Sequence, residues 1–303
     1  MAILQTLMAY LSAHPAPLKT PATSLHLAQE APHFLQSAPA DTQETWFLTE
    51  QLFLASLRTR DDTTASQLLS RLRTRFGATT PRILALQGLY DEATATSTAE
   101  LEAILERYTS HLATDLTDTA LEKRRIALLQ TLGRPTDAIT ALTKLLAHSP
   151  VDAEAWAHLA DLYKSQGLYA QAIFCLEECL LTSPNAYNIH ARLGEATYVS
   201  ATDSDPEMWS EAARYFCRSV ELCEWYLRGW YGLRLVTDRM LATALSVKAG
   251  VMDRKTAEGL NAKATEKLAE IVRRAGSGEE GWQGFDAGEV EAARELIAQK
   301  VVR

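Results

Sequence analysis

The chain has 303 residues, 47% of them hydrophobic and 22% charged, which is ample for a core in one elongated repeat domain or two compact ones. A formal net charge of −8 argues against general nucleic-acid binding, because a backbone binder needs a basic surface to release counterions, although a local basic patch is compatible with it. No apolar run reaches the roughly 18 residues of a transmembrane helix, so any membrane work would go through partners.

In chain order, the first eleven residues lack the charged start of a signal peptide, and Gln5 and Thr6 interrupt their apolar run. Ile3, Leu4, Leu7, Met8 and Leu11 instead form the stripe of a short amphipathic helix, either a cap on the helices that follow or a segment that docks into a partner. Residues 12–41 carry Pro15, Pro17, Pro21, Pro32 and Pro39, a spacing that predicts only short helices joined by extended turns, as in a strap. From Thr45 a helix presents Trp46, Leu48, Leu52, Phe53 and Leu57, and Asp61-Asp62-Thr63 ends it and caps the next. That next helix, residues 63–76, points Ala65, Leu68, Leu69, Leu72 and Phe76 inward and Arg71, Arg73 and Arg75 outward. The arginines are a solvated face or a contact for an acidic partner. Pro81 opens a helix with Leu84, Leu86, Gly88, Leu89 and Tyr90, and Leu101, Ile104, Leu105, Tyr108 and Leu112 mark its returning partner.

A repeat register then emerges. Gly133, Ala138 and Pro150 recur 34 residues later as Gly167, Ala172 and Pro184. In residues 153–184, Trp156, Leu159, Ala160 and Tyr163 lie on one helix face, and Ala172, Leu176, Cys179 and Leu180 on one face of a second. Gly167 supplies the left-handed cap between them, and Pro184 closes the second. This unit resembles a tetratricopeptide repeat: Trp156, Leu159, Ala160, Tyr163, Gly167, Tyr169, Ala172, Leu176 and Pro184 stand in that family's spacing. The resemblance implies an all-α fold, a tetratricopeptide-repeat α-solenoid wound as a right-handed superhelix with capping helices at both ends.

The unit before it departs from the pattern, with Glu122, Arg125 and Ile126 in place of Trp156, Leu159 and Ala160. Its run Lys123-Arg124-Arg125 is either a partly solvated helix whose long stems cover apolar neighbours, or a basic contact for an acidic partner segment. After Pro184, Leu193-Gly194 copies Leu159-Ala160, residues 201–206 lengthen a turn, and Trp209, Ala212 and Phe216 resume the second-helix pattern. Trp225, Tyr226, Trp230 and Tyr231 exceed what one helix face buries, so part of them should meet the C-terminal helices. Residues 238–275 read as one or two helices broken near Gly250 and Gly259. Residues 276–288 read as loop, and residues 289–302 as a last helix with Val290, Ala293, Leu296, Ile297 and Val301 on one side. The expected organisation is an N-terminal helix and strap over residues 1–41, repeats over 42–237, and capping helices over 238–303.

No catalytic constellation stands out: no phosphate-cradling loop follows a strand, and the seven histidines are scattered, so neither an enzyme nor a cofactor is expected. Cys175 and Cys179 are one turn apart, a metal-compatible spacing, yet no histidine lies within a turn of either; small core side chains are the simpler reading, and no metal is expected. Asn185, Asn188 and Asn261 lack the glycosylation pattern, and with the cysteines read as reduced this points to the cytosol.

The candidate function is therefore binding. Side chains opposite the packing face of the first helices are Glu154, His158, Asp161 and Lys164 in the best repeat and Asn188, Arg192 and Glu195 in the next, with Lys123, Arg124 and Arg125 ahead of them. Chaperone-binding tetratricopeptide proteins clamp a terminal carboxylate with lysine, arginine and asparagine. Here Lys123 and Arg192 stand near matching places, with Ala127, His158 and Asn188 at others. A soluble co-chaperone or adaptor binding acidic C-terminal peptides is thus the alternative reading.

A narrower resemblance rests on EKRRIAL at residues 122–128, DAEAWAHLADLY at 152–163 and YAQAIFCLEE at 169–178. These segments resemble the second subunit of the endoplasmic reticulum membrane protein complex, in a fungal form, over about residues 115–235. The resemblance implies a non-catalytic repeat scaffold, peripheral on the cytosolic face of the endoplasmic reticulum. It would grip cytosolic segments of membrane subunits and a second soluble subunit in a complex that inserts tail-anchored and multi-pass proteins.

Overall fold

The computed structural model describes residues 2–13, 21–37, 40–115, 117–202, 205–243, 251–279, 282 and 285–298. Among them are fifteen α-helices and no strand. The chain divides into two compact units, Met1–Leu145 and Leu146–Arg303.

The N-terminal unit holds α1 (Ala2–Ala13), α2 (Pro21–Gln36), α3 (Gln43–Arg58), α4 (Asp62–Phe76), α5 (Pro81–Thr94), α6 (Thr98–Thr114), α7 (Thr119–Thr131) and most of α8 (Pro135–His148). Leu4, Leu7 and Leu11 of α1 are buried in one core with Leu27, Ala31 and Phe34 of α2, Leu48 and Leu52 of α3, and Leu68 and Leu72 of α4. Where proline spacing predicts only short helices, α2 is one helix of 16 residues with Pro32 inside it. An interior proline costs about 3 kcal/mol, but burying Leu27 and Phe34 returns roughly 1.5–3 kcal/mol each, and both are fully buried. Pro15, Pro17 and Pro39 of the expected strap lie outside the described residues.

Local chemistry sets the next boundaries. The Asp61 carboxylate accepts the Thr64 amide at 3.1 Å and starts α4, and Gly77, at φ +87°, ends it. Phe76 does not point inward as its spacing predicts. It is 42% exposed and lies edge-on to Trp46 at 5.4 Å, because the last turn of α4 runs past the core. Further on, Gly88 of α5 admits the Tyr108 ring of α6, whose hydroxyl would lie 2.1 Å from a Cβ there. That hydroxyl donates to Glu92 at 2.7 Å.

The C-terminal unit holds α9 (Ala153–Ser165), α10 (Tyr169–Thr182), α11 (Tyr187–Ser200), α12 (Pro206–Leu222), α13 (Leu227–Ala242), α14 (Arg254–Ser277) and α15 (Ala287–Ala298). Helices pack in sequential pairs, α9 on α10, α11 on α12 and α13 on α14, with α15 against α14 and α13. Asp152 caps α9 by accepting the Ala155 amide at 3.0 Å, and Gly167, at φ +73°, turns the chain into α10. Gly133, at φ +70°, occupies the same conformation in the N-terminal unit, so the repeated glycine is a backbone requirement in each unit.

Phe216 of α12 enters between Gly194 of α11 and Gly232 of α13, where a Cβ would come within 2.9 Å and 2.1 Å of its ring. Trp225 meets Trp282 at 4.7 Å, so the aromatic excess ahead of α13 does reach C-terminal residues. Gly259 does not break a helix: α14 runs through it for 24 residues. A mid-helix glycine costs only about 1 kcal/mol, less than the burial of Leu268 and Ile271 returns on the same helix. Gly276 also stays helical, and the left-handed Gly278 ends α14. Gly250 and Val301 lie outside the described residues.

Candidate interaction face

On the C-terminal unit, α9 and α11 lie side by side and are tied by two rungs. Arg192 donates from Nη2 to Asp161 Oδ1 at 2.6 Å and to the Ala157 carbonyl at 3.0 Å. Lys164 donates to Glu195 Oε2 at 3.0 Å. Asp161 and Lys164 are three residues apart on α9, as are Arg192 and Glu195 on α11, so each helix presents its pair on one face with the charges crossed. Both rungs are partly solvated, and such pairs are worth about 0–1 kcal/mol each. Their effect is to hold the register of the two helices. A third tie joins α13 to α15, where the Glu289 carboxylate accepts from Arg228 Nε at 2.7 Å and, chiefly through that bond, raises its pKa.

Beside the rungs opens a groove of about 440 Å³. Tyr198, Phe216, Leu227, Tyr231 and Leu235 form its apolar floor, and Lys164, Glu195, Arg228 and Glu289 stand at its edge. Its edge charges are matched within the fold and its floor is aromatic, which suits an apolar stretch of polypeptide better than a charged small molecule. Glu154 and Asn188 are exposed near the N-termini of α9 and α11, and His158 is half-buried between Glu154 and Asp161.

The basic run on α7 belongs to the N-terminal unit and is not one patch. Arg124 forms a bidentate pair with Glu92 of α5, its Nε 3.3 Å from Oε1, and Glu92 also accepts the Tyr108 hydroxyl. One carboxylate thus ties α5, α6 and α7. Arg125 reaches Glu122 of its own helix at 3.9 Å, with its Nε buried and without an acceptor, and Lys123 is half-buried. Lys123 and Arg192 lie in different units, and Arg192 is already engaged by a carboxylate and a carbonyl.

Cys175 and Cys179 are core groups, and Cys217 and Cys223 are half-buried. Burial pushes Cys175 up to about 12 and raises Cys179 as well, while Cys179 Sγ donates to the Ala153 carbonyl at 3.4 Å. Among the described residues no three His, Cys, Asp or Glu side chains are grouped to hold a metal ion, and no helix is long and apolar enough to cross a membrane.

Sequence reasoning names both rungs' residues and, within the aromatic excess, Tyr231, but misses Tyr198, Arg228 and Glu289. Tyr198 is legible in hindsight, since it stands 34 residues after Lys164. Glu289 is not, because α15 reaches α13 through loops that carry no repeat register.

Paired antiparallel helices turned by left-handed glycines, with first helices that offer a rung-edged groove, define a tetratricopeptide-type repeat protein. The EMC2 TPR-like repeat domain profile matches residues 86–208. TPR repeat protein oca3 of Schizosaccharomyces pombe is 37% identical over 198 residues, 65% of this chain and 68% of that protein. ER membrane protein complex subunit 2-A of Xenopus laevis is 33% identical over 190 residues, 63% of this chain and 61% of that protein, so the match spans less than two thirds of the Xenopus relative. The crystal structure of the C-terminal part of a TPR repeat-containing protein from Cytophaga hutchinsonii is alike in fold alone, with a TM-score of 0.50 and 13% identity over 88% of this chain and 94% of that one. The chain belongs to the EMC2 family of TPR-like repeat proteins.

Proposed function

We propose that this chain is a non-catalytic scaffold subunit of the endoplasmic reticulum membrane protein complex. It sits on the cytosolic face and holds cytosolic segments of membrane subunits together with a second soluble subunit, in an insertase for tail-anchored and multi-pass proteins. The observation that carries this reading is the family match over residues 86–208, a span that contains both rungs between α9 and α11. The subunit name borne by the Xenopus relative supplies the complex. The rungs keep two first helices in register beside an apolar groove, and a stiff face of that kind selects a segment by shape with little ordering of its own.

A detergent pull-down of the tagged chain from its native cells, read by mass spectrometry, tests the proposal. Stoichiometric multi-pass membrane proteins are expected. Recovery of soluble chaperones alone would favour the carboxylate-clamp adaptor and sink the scaffold reading.

A further inference from the structure

Helix α14 ends on Gly276-Ser277-Gly278, with Arg273 and Arg274 four and three residues before the serine and Glu279 two after it. The Ser277 side chain is exposed. Glycine is a poor helix former, and Gly278 already holds the left-handed conformation that ends the helix, so a glycine on each side lets this turn open at little cost. An exposed hydroxyl on such a turn, behind two arginines, fits the charge pattern that arginine-directed protein kinases select. Acids on the kinase take the guanidinium groups, and the opened backbone presents the hydroxyl.

The surroundings of Ser277 also form an anion seat that its present occupant fills only in part. Ser277 Oγ lies 3.0 Å from the Arg274 carbonyl and 3.2 Å from Glu279 Oε1. Glu279 Oε1 accepts from Arg273 Nη1 at 3.0 Å, but Oε2 stops 3.9 Å from Arg274 Nε. That Nε is shut off from water and has no acceptor among the described residues. One carboxylate therefore leaves a guanidinium donor unused, where the three oxygens of a phosphoryl group on Ser277 would supply an acceptor.

The same arginine supports the segment that follows. Its guanidinium lies over the Trp282 ring at 4.6 Å and over Trp225 at 5.5 Å, and Trp282 meets Trp225 edge-on at 4.7 Å. The Trp282 amide donates to the Glu279 carbonyl at 3.1 Å, so Glu279 and Trp282 belong to one turn and move together. Beyond that turn the chain enters α15, which supplies Glu289 to the edge of the groove in the C-terminal unit.

We infer that Ser277 is a phosphorylation site for an arginine-directed kinase, and that its phosphate evicts Glu279 from Arg273 and Arg274. The Ser277 hydroxyl attacks the γ-phosphorus of ATP, its proton passes to the catalytic aspartate of the kinase, and ADP leaves. The product carries a charge of about −1.5 to −2 where a neutral hydroxyl stood. It takes both guanidinium groups and repels the Glu279 carboxylate, whose Oε1 lies 3.2 Å from the modified oxygen. It also meets the negative end of the α14 dipole, which loosens the last turn further. Trp282 leaves with Glu279, and the latch on Trp225 opens. The inference does not depend on which partner fills the groove.

Two preparations test it by mass spectrometry: tagged chain isolated from its native cells with phosphatase inhibitors, and purified full-length chain treated with ATP and an arginine-directed kinase. Phosphate on Ser277 is expected in both. Arg274→Lys keeps a cation beside the tryptophans but loses the guanidinium, and it should slow the transfer in vitro by about tenfold, about 1.4 kcal/mol of barrier. The opened latch has two readouts. The circular-dichroism signal of the coupled Trp225–Trp282 pair should fall on phosphorylation to the level of unmodified Trp282→Phe. Chymotrypsin cleavage after Trp282 and Phe285 should quicken by about tenfold. Ser277→Ala taken through the same treatment should show neither change. Absence of phosphate on Ser277 in either preparation, a transfer rate indifferent to Arg274→Lys, or a phosphorylated chain whose dichroism and cleavage match the untreated one would each overturn the inference.

Discussion

Gly232 shows how much one missing methyl group decides. An added Cβ would sit 2.1 Å from the Phe216 ring, and Phe216 is fully buried with Gly194 against its other side, so the ring has nowhere to retreat. Gly232→Ala should cost about 1–3 kcal/mol through overpacking. Gly259 is the control: nothing lies within 4 Å of its Cβ position in the middle of α14. Gly259→Ala should stabilise by up to about 1 kcal/mol, the helix-propensity difference alone. Urea denaturation of the two variants checks both signs at once, and a stabilised Gly232→Ala would refute the packing read between α11, α12 and α13. From the sequence, both are glycines inside helical patterns. Only the neighbour across the interface separates them.

At the scale of elements, the tie between α5, α6 and α7 hangs on Glu92. It takes Arg124 on one side and the Tyr108 hydroxyl on the other, and burial with that hydrogen bond raises the Tyr108 pKa. Arg124→Met keeps the stem and removes the charge, leaving a half-buried carboxylate without its cation. A loss of about 1–3 kcal/mol is expected, measured by chemical denaturation. Neutralising the partner in a Glu92→Gln, Arg124→Met double variant should recover part of it. If Arg124→Met leaves stability unchanged, Arg124 is a surface charge after all. Charge reversal of the whole Lys123-Arg124-Arg125 run is therefore a poor probe of assembly, since it strikes the fold as well. The helix pattern itself was widely legible. The boundaries of α4 and α9 follow from Asp61, Gly77, Asp152 and Gly167, whose effects act within a few residues. The continuous α2 was not legible, because Pro32 argues locally for a break, and only burial of Leu27, Ala31 and Phe34 against other helices outweighs it.

Across the whole molecule, several buried or half-buried acids set a pH limit. Burial pushes Cys175 up to about 12, Cys217 to about 11 and Tyr215 to about 12, the tyrosine helped by the charges of Glu211 and Glu177. In the unfolded chain thiols ionise near pH 8.5 and tyrosine near 10. The folded state holds these protons more tightly, so stability is at its full value below about pH 8.5 and falls as pH rises toward the folded values. At the acid end, the hydrogen bond from Thr64 lowers the Asp61 pKa, so its contribution is present above about pH 4 and lost below it. Melting temperatures measured from pH 3 to 11 should show both limbs, and Cys175→Ala with Cys217→Ala should soften the alkaline one. An alkaline limb that is unchanged in that double variant would assign it to the tyrosines. By itself the sequence determined what depends on near neighbours: the helical period, the capping residues and the 34-residue recurrence of Gly133 at Gly167. It also supplied the candidate residues of the first-helix face. Tertiary structure alone decided which of their charges are engaged, because Asp161 meets Arg192 31 residues away and Glu92 meets Arg124 32 residues away. Such pairs exist only once separate helices have packed in register, and side-chain type carries no record of the partner.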